Sequence, residues 1–397
     1  MLPPRLFVIV VLGIGQILVW GSTYYLPAVL AKPTAQATGW PLTWIIGGLS
    51  LGLVLSGVVS PTVGDLIERR GGRPVLMASA VLTAIGLLGL ATAPNLTAYV
   101  TAWLILGLAM GCGLYDPAFA TLGRLYGREA RSAITSLTLI AGFASTVCWP
   151  LSALLLQRFG WRGTCVAYAG LQLAVVLPVY GFGLPCEAHR EQALPRSAAA
   201  SAHTSARRPS HFPLLFPLVA LTQTLASVIA AIVSVHLITT LRQRGVAMDT
   251  AVALGAIVGP CQVSARLLDL MFGRRIHPVW EALIASVFVA VGIGLLMQTY
   301  GAIWIGLVLY GGGIGLRSIV RGTLPLALFG ADGYASLMGR LALPMLVAQA
   351  AAPLVGAVLL QHWGADGIFA ALFWLAIATL VSGALLIPFT RSTPAAA

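Results

Sequence analysis

From Leu6 to Leu30 the chain carries no charged side chain. About 20 apolar residues let a helix cross the hydrocarbon core of a bilayer, where every backbone N–H and C=O must find its partner within the segment. The run is longer than the apolar region of a secretory signal peptide, although Ala28-Val-Leu-Ala31 imitates a cleavage site. It reads as a first transmembrane helix. Similar runs follow near 43–67, 74–93, 98–122, 133–156 and 163–184. A polar, Ser/Ala-rich stretch at 185–211 reads as a flexible linker. Six more runs lie near 212–239, 248–271, 279–298, 303–328, 335–360 and 367–388. The expectation is an all-α integral membrane protein of twelve transmembrane helices. It divides into an N-terminal six-helix half at 1–184, a cytoplasmic linker at 185–211 and a C-terminal six-helix half at 212–397.

Charge supports this reading. Only 9% of the 397 residues are charged and 58% are hydrophobic, which excludes a water-soluble domain of this length. The formal charge of +12 does not imply nucleic acid, because the cations sit in short loops where they set topology. Fifteen of the 23 basic residues fall on the side of the N-terminus and five on the other. Both termini and the linker are therefore expected in the cytoplasm of a bacterial inner membrane. Arg266, Arg317 and Arg321 remain inside spans.

The halves repeat. A shift of 201 lays Gly64-Asp-Leu-Ile-Glu-Arg-Arg-Gly-Gly-Arg73 on Ala265-Arg-Leu-Leu-Asp-Leu-Met-Phe-Gly-Arg274. A shift of 202 lays Gly113-Leu-Tyr-Asp-Pro117 on Gly315-Leu-Arg-Ser-Ile319. Leu155-Leu-Gln-Arg-Phe-Gly160 recurs as Leu359-Leu-Gln-His-Trp-Gly364. Membrane proteins with such repeats bind solutes near mid-membrane where the repeats meet, and move one half against the other. Gly107-x-x-x-Gly111-x-Gly113 and Gly311-Gly-Gly-x-Gly315 read as close helix packing, not as phosphate loops.

The loop after the second span, Gly64-x-x-x-Glu68-Arg69-x-Gly71-x-Arg73, resembles the signature cytoplasmic loop of the major facilitator superfamily. Glu replaces the usual Asp, and Gly72 replaces a usual basic residue. A weaker second copy keeps Asp269 and Gly273-Arg274. With the span count and the linker, the resemblance covers essentially the whole chain. It implies a secondary transporter working by alternating access.

A finer resemblance is to the monocarboxylate carrier and oxalate:formate exchanger branch. It rests on Thr38-Gly39-Trp40 before the second span, Gln157-Arg-Phe-Gly-Trp-Arg162 after the fifth, and Gln262-Val-Ser-Ala-Arg266 in the eighth. In that branch the Arg binds the substrate carboxylate, and an Asp four residues earlier takes part in proton coupling. The resemblance implies Arg266 as the carboxylate contact. Gln262 stands at the Asp position, a departure that removes a titratable group there, and the span 11 lysine of the oxalate exchanger is absent.

Arg266 presents a planar fork suited to a carboxylate, at a depth where a charge is costly. The structural alternative is a partner for Asp269 or for an acid of another helix. Arg317 and Arg321 lie four apart in the tenth span and share a helix face. Arg317 is a second candidate contact, and Arg321, nearer the cytoplasm, a candidate gate. Asp116, the acid well inside the fourth span, is a candidate for proton coupling or for neutralising Arg317 or Arg266. His236 is a candidate contact or proton carrier, since imidazole changes charge near neutrality. Gln16 and Gln223 occupy matching places in the first and seventh spans, and Tyr24, Tyr25 and Tyr115 add hydroxyls and ring faces. Gln262 completes the candidate substrate set. Asp65, Glu68, Arg69 and Arg73, with Asp269, Arg274 and Arg321, are candidates for a cytoplasmic latch that sets the balance of inward and outward states.

The expected solute is a small organic anion such as a monocarboxylate, carried by a monomer with protons as a candidate coupling ion. The alternative is efflux of toxic compounds, drug-like molecules or a trivalent metalloid such as arsenite, for which the thiols of Cys112, Cys148 and Cys261 are suitably soft. Space-filling thiols are the simpler reading of all five cysteines. The chain has no HExxH, GxSxG or nucleotide loop, so neither catalysis nor a metal or other cofactor is expected.

Overall fold

The computed structural model describes residues 4–186, 212–273, 276–298 and 302–392. The linker expected at 185–211 lies outside the described residues from 187 onward, as does Arg274 of the expected latch.

Among the described residues, nine continuous helical runs are long and apolar enough to cross a membrane. Two are too long for one crossing. Leu96–Gly183 has 88 residues and Tyr334–Thr390 has 57, against about 20 for a bilayer. The first is interrupted at Gly127 and Gly160 and makes three crossings; the second is interrupted at Gly364 and makes two. The nine runs thus supply twelve crossings. Gly160 and Gly364, the matching ends of the repeated Leu-Leu-Gln motif, adopt φ of +67° and +63°. No atom lies within 4 Å of where a Cβ would stand at either, so the left-handed backbone and not crowding calls for glycine.

In chain order the helices are α1 (Arg5–Ser22), α2 (Leu26–Thr38), α3 (Leu42–Arg70), α4 (Gly72–Thr92), α5 (Leu96–Gly113), α6 (Tyr115–Tyr126), α7 (Ala130–Ala141), α8 (Ala144–Leu171) and α9 (Leu177–Gly183). Then follow α10 (Phe212–Gln243), α11 (Met248–Phe272), α12 (Pro278–Leu296), α13 (Ile303–Phe329) and α14 (Tyr334–Ala384). Two expected spans are broken. The first, placed at 6–30, stops at Ser22 and resumes as α2, which runs on to Thr38. Hydroxyls of Ser22 and Thr23 turn back onto the carbonyls of Leu18 and Val19 at 2.7 and 2.6 Å, competing with the helical ladder. The fourth, placed at 98–122, breaks at Leu114, three residues before Pro117.

The chain forms two compact units. One comprises Met1–Arg207 with Ala331–Leu343, and the other Arg208–Gly330 with Pro344–Ala397. The start of α14 thus belongs with the first unit, although the sequence division puts all of 212–397 together. Glycine explains it. A Cβ at Gly64 of α3 would stand 2.5 Å from the Ala335 carbonyl oxygen and 3.1 Å from the Gly339 Cα. Only a glycine pair lets these backbones approach so closely.

Each unit repeats this device between its second and fourth crossings. A Cβ at Gly107 of α5 would stand 2.8 Å from the Gly52 Cα of α3. A Cβ at Gly315 of α13 would stand 2.9 Å from the Gln262 Cα of α11. The small residues of both glycine-rich motifs serve helix packing.

Candidate functional site

The first unit is built around the break in its fourth crossing. Pro117 has no N–H, so the Gly113 carbonyl, four residues earlier, loses its helical donor. The Gln16 amide supplies the replacement, with Nε2 donating to that carbonyl at 2.6 Å. Its Oε1 accepts from the Trp20 indole at 3.0 Å. Gln16 is 0% exposed, and both ends of its amide are committed to this junction.

Trp20 in turn anchors a group of aromatic rings. Its centroid lies 5.2 Å from Tyr24, 5.8 Å from Tyr25 and 4.9 Å from Tyr115. Tyr115 stacks on Phe119 at 5.2 Å. The structure therefore brings Tyr24, Tyr25 and Tyr115 together as one polar-edged aromatic cluster. Asp116 is 6% exposed and sits in the first turn of α6, where the helix dipole favours a negative charge.

At the C-terminal end of α3, the Glu68 carboxylate accepts the Ala335 N–H at 3.1 Å, in the first turn of α14. Arg124 donates to the Glu68 main-chain carbonyl, and its Nη1 lies 4.0 Å from Glu68 Oε1. Of the four expected latch residues in this loop, Glu68 alone engages. Asp65, Arg69 and Arg73 make no hydrogen bond or ion pair among the described residues. Arg124 was not expected in the latch; its place one turn before Gly127, on the side expected to share the loop's basic residues, was the available signal.

In the second unit Arg266 is 6% exposed on α11. Its Nε donates to the Ser318 hydroxyl at 2.9 Å, and Nη2 to Gln262 Oε1 at 3.4 Å. Ser318 carries no expectation from the sequence, yet the 202-residue repeat places it on Asp116. Gln262, standing where the resemblance has an acid, holds the guanidinium with a neutral oxygen.

Arg317 is directed elsewhere. Its Nη2 donates to the Thr222 carbonyl at 2.9 Å and Nη1 to the Ser286 hydroxyl at 3.4 Å. It lies among Ala226, Ile229, Ser286, Ile314 and Thr379 of α10, α12, α13 and α14. The structure thus separates Arg317 from Arg266, although one α13 turn carries both Arg317 and Ser318. Adjacent residues of a helix point about 100° apart.

Gln223 repeats the role of Gln16. Its Nε2 donates at 3.3 Å to the Arg321 carbonyl, the one whose helical donor would be the N–H that Pro325 lacks. His236 ties α10 to α14, its Nε2 donating to the Pro353 carbonyl at 2.9 Å. Asp269 lies under Gly273 at the end of α11.

Glu281, at the edge of the ninth apolar run, is 3% exposed in the first turn of α12. Cys148 donates to the Ile17 carbonyl at 3.4 Å, and Cys261 packs on Gly311.

The sequence matches the family model of the Major Facilitator Superfamily over residues 11–320. Among curated relatives, Monocarboxylate transporter 11 of Mus musculus is 33% identical over 143 residues, 35% of this chain and 30% of that protein. Monocarboxylate transporter 13 of Bos taurus is 30% identical over 152 residues, 38% and 33% of the two chains. The matches thus span about a third of those relatives' length. Among solved structures, the human organic anion transporter MFSD10 superimposes with a TM-score of 0.75 at 17% identity, over 96% of this chain and 100% of that one. The proton:xylose symporter XylE gives 0.72 at 13% identity, over 97% and 96%. At such identities the likeness is one of fold.

Proposed function

The chain belongs to the Major Facilitator Superfamily, and from that premise we propose that its solute is a small organic anion, a monocarboxylate or a close chemical relative, met by Arg266. The protein is a multi-pass integral membrane protein and a secondary transporter, not an enzyme.

One observation carries the anion reading. Arg266 lies almost fully enclosed, held by the Ser318 hydroxyl and the Gln262 amide oxygen. Both of these oxygens are neutral and fix the guanidinium's orientation, and its planar fork suits a carboxylate. The partial matches to monocarboxylate transporters support the same class. Gln262 cannot exchange a proton, so in this reading coupling falls to Asp116. Transport proceeds by alternating access in a monomer. Both termini lie in the cytoplasm of a bacterial inner membrane, following the cation asymmetry.

The test is counterflow in proteoliposomes with labelled acetate, lactate, pyruvate and oxalate, with and without a pH gradient. Flux of at least one anion in the wild type, lost in Arg266→Ala, is expected. Equal flux in the variant overturns the role of Arg266. Flux of none of the anions overturns the solute class and leaves export of neutral or cationic compounds.

A further inference from the structure

Between α8 and α9 the chain departs from the α-helix. Gln172–Val176 form a π-turn, in which the Leu177 N–H bonds to the Gln172 carbonyl five residues back. Such turns are rare and gather at functional sites. Pro178 accounts locally for the widening, because in an α-helix its ring meets the Ala174 carbonyl four residues earlier. The consequence is a change of register against α1. Gln172 and Tyr180 lie eight residues apart, and in an unbroken α-helix they point about 80° from one another. The extra residue of the π-turn brings them within about 20°, on one face. Both then meet α1, where Ser22 and Gly15, seven residues apart, also share a face. Gln172 Nε2 donates to the Ser22 hydroxyl at 2.8 Å. The Tyr180 hydroxyl lies against Gly15, and a Cβ at Gly183, one turn on, would stand 2.5 Å from Val11 Cγ2.

We propose that Gln172 is the positioning residue of the break in the first crossing. Ser22 is the last residue of α1, and its hydroxyl donates to the Leu18 carbonyl at 2.7 Å. Gln172 occupies a lone pair of that oxygen, so the hydroxyl proton is left to the Leu18 carbonyl, the back-bond that competes with the helical ladder. Gln172 and Ser22 are both 0% exposed, so water does not compete for either. An amide is a costly side chain for this place, because its Oε1 is buried without a hydrogen-bond partner among the described residues. A leucine or methionine would fill the volume without that cost; what they lack is the N–H. The break follows Trp20 and carries Tyr24 and Tyr25, so its shape fixes where these rings stand. Secondary transporters build their solute sites from such interrupted helices. Gln172 acts on the break through Ser22, without meeting the solute.

The experiment is hydrogen–deuterium exchange of the purified full chain in detergent, read by mass spectrometry on peptides covering 18–27, 96–113 and 212–243. It needs no solute and so does not stand or fall with the anion reading. The proteins are wild type, Gln172→Leu, Ser22→Ala and the double variant. Gln172→Leu is expected to speed exchange in 18–27 about 5-fold or more and to leave 96–113 and 212–243 unchanged. Ser22→Ala is expected to speed the same segment, and the double variant to go no further than the faster single variant. Unchanged exchange in 18–27 overturns the proposal. So do additive effects in the double variant, and so does faster exchange spread through 96–113, which is the mark of general packing. Should Gln172→Leu fail to fold, Gln172→Asn takes its place with the same expectations, because it keeps the amide but falls one methylene short of Ser22.

Discussion

The amide of Gln16 donates at 2.6 Å to the Gly113 carbonyl, the group that Pro117 deprives of its helical partner. In the other unit Gln223 does the same for Arg321 and Pro325 at 3.3 Å. The prolines are not at repeat-equivalent positions, but the remedy is the same: an amide from the first helix of the unit closes the gap in the fourth. A proline break in a membrane helix persists only where another group satisfies the backbone.

Gln16→Leu leaves a buried carbonyl unsatisfied, a loss of about 1–3 kcal/mol. Thermal unfolding in detergent is expected to show a Tm several degrees lower. Gln223→Leu loses less, since its bond is longer and its surroundings less enclosed. Solute preference is expected to stay the same in both, and a changed preference would restore either glutamine to the substrate site.

Arg266 and Ser318 give the sharper functional test. Ser318→Ala removes the acceptor that orients Nε and is expected to lower anion flux roughly 10-fold, while Arg266→Ala abolishes it. Ser318→Asp, which restores the repeat partner's acid, sets a carboxylate against Arg266 in competition with the solute and is also expected to abolish flux. Initial rates of counterflow at several solute concentrations distinguish lost affinity from lost turnover.

Glu68 bonds to the first turn of α14, so its role is to hold that turn against α3. Glu68→Ala removes both the hydrogen bond and the charge at the helix N-terminus, worth about 1 kcal/mol. The expected outcome is an altered balance between inward and outward states at unchanged solute preference. Accessibility of single introduced cysteines to a membrane-impermeant thiol reagent reads it. Gly64→Val is more damaging than Glu68→Ala, because its side chain meets the Ala335 carbonyl.

Gly160→Ala and Gly364→Ala separate conformation from crowding. Space is open at both sites, so only the left-handed backbone resists the substitution. Each is expected to cost about 1–2 kcal/mol and the pair to add, because the sites belong to different units. Tm values of the single and double variants check this.

The arginine at 162 and the acid at 366 show what a repeat does not reveal. Arg162 binds the carbonyls of Ala91 and Ala93 at 3.0 and 3.1 Å, at the end of α4. Its counterpart at the 204-residue offset is Asp366, which pairs instead with Arg244 at 3.0 Å. Arg244 then binds the Leu296 and Met297 carbonyls at the end of α12. The same need, a cation on the carbonyl end of the third crossing, is met from a different loop.

The sequence alone determined the membrane-spanning segments of this protein and the repeated motif that ends in Gly160 and Gly364. A bilayer imposes a length and an apolarity on each span, and a left-handed turn imposes glycine, so both are written locally. Arg266 was legible for the same reason: a charge within an apolar run is visible without knowing its neighbours. Only the tertiary structure decided which polar groups are orienting, packing or pairing. Gln16 closes a proline gap, and Arg317 turns into the bundle while Ser318 beside it holds Arg266. Each of these follows from how one helix is rotated and registered against the next. That register is set by glycine contacts between distant segments, and no period within a single segment encodes it.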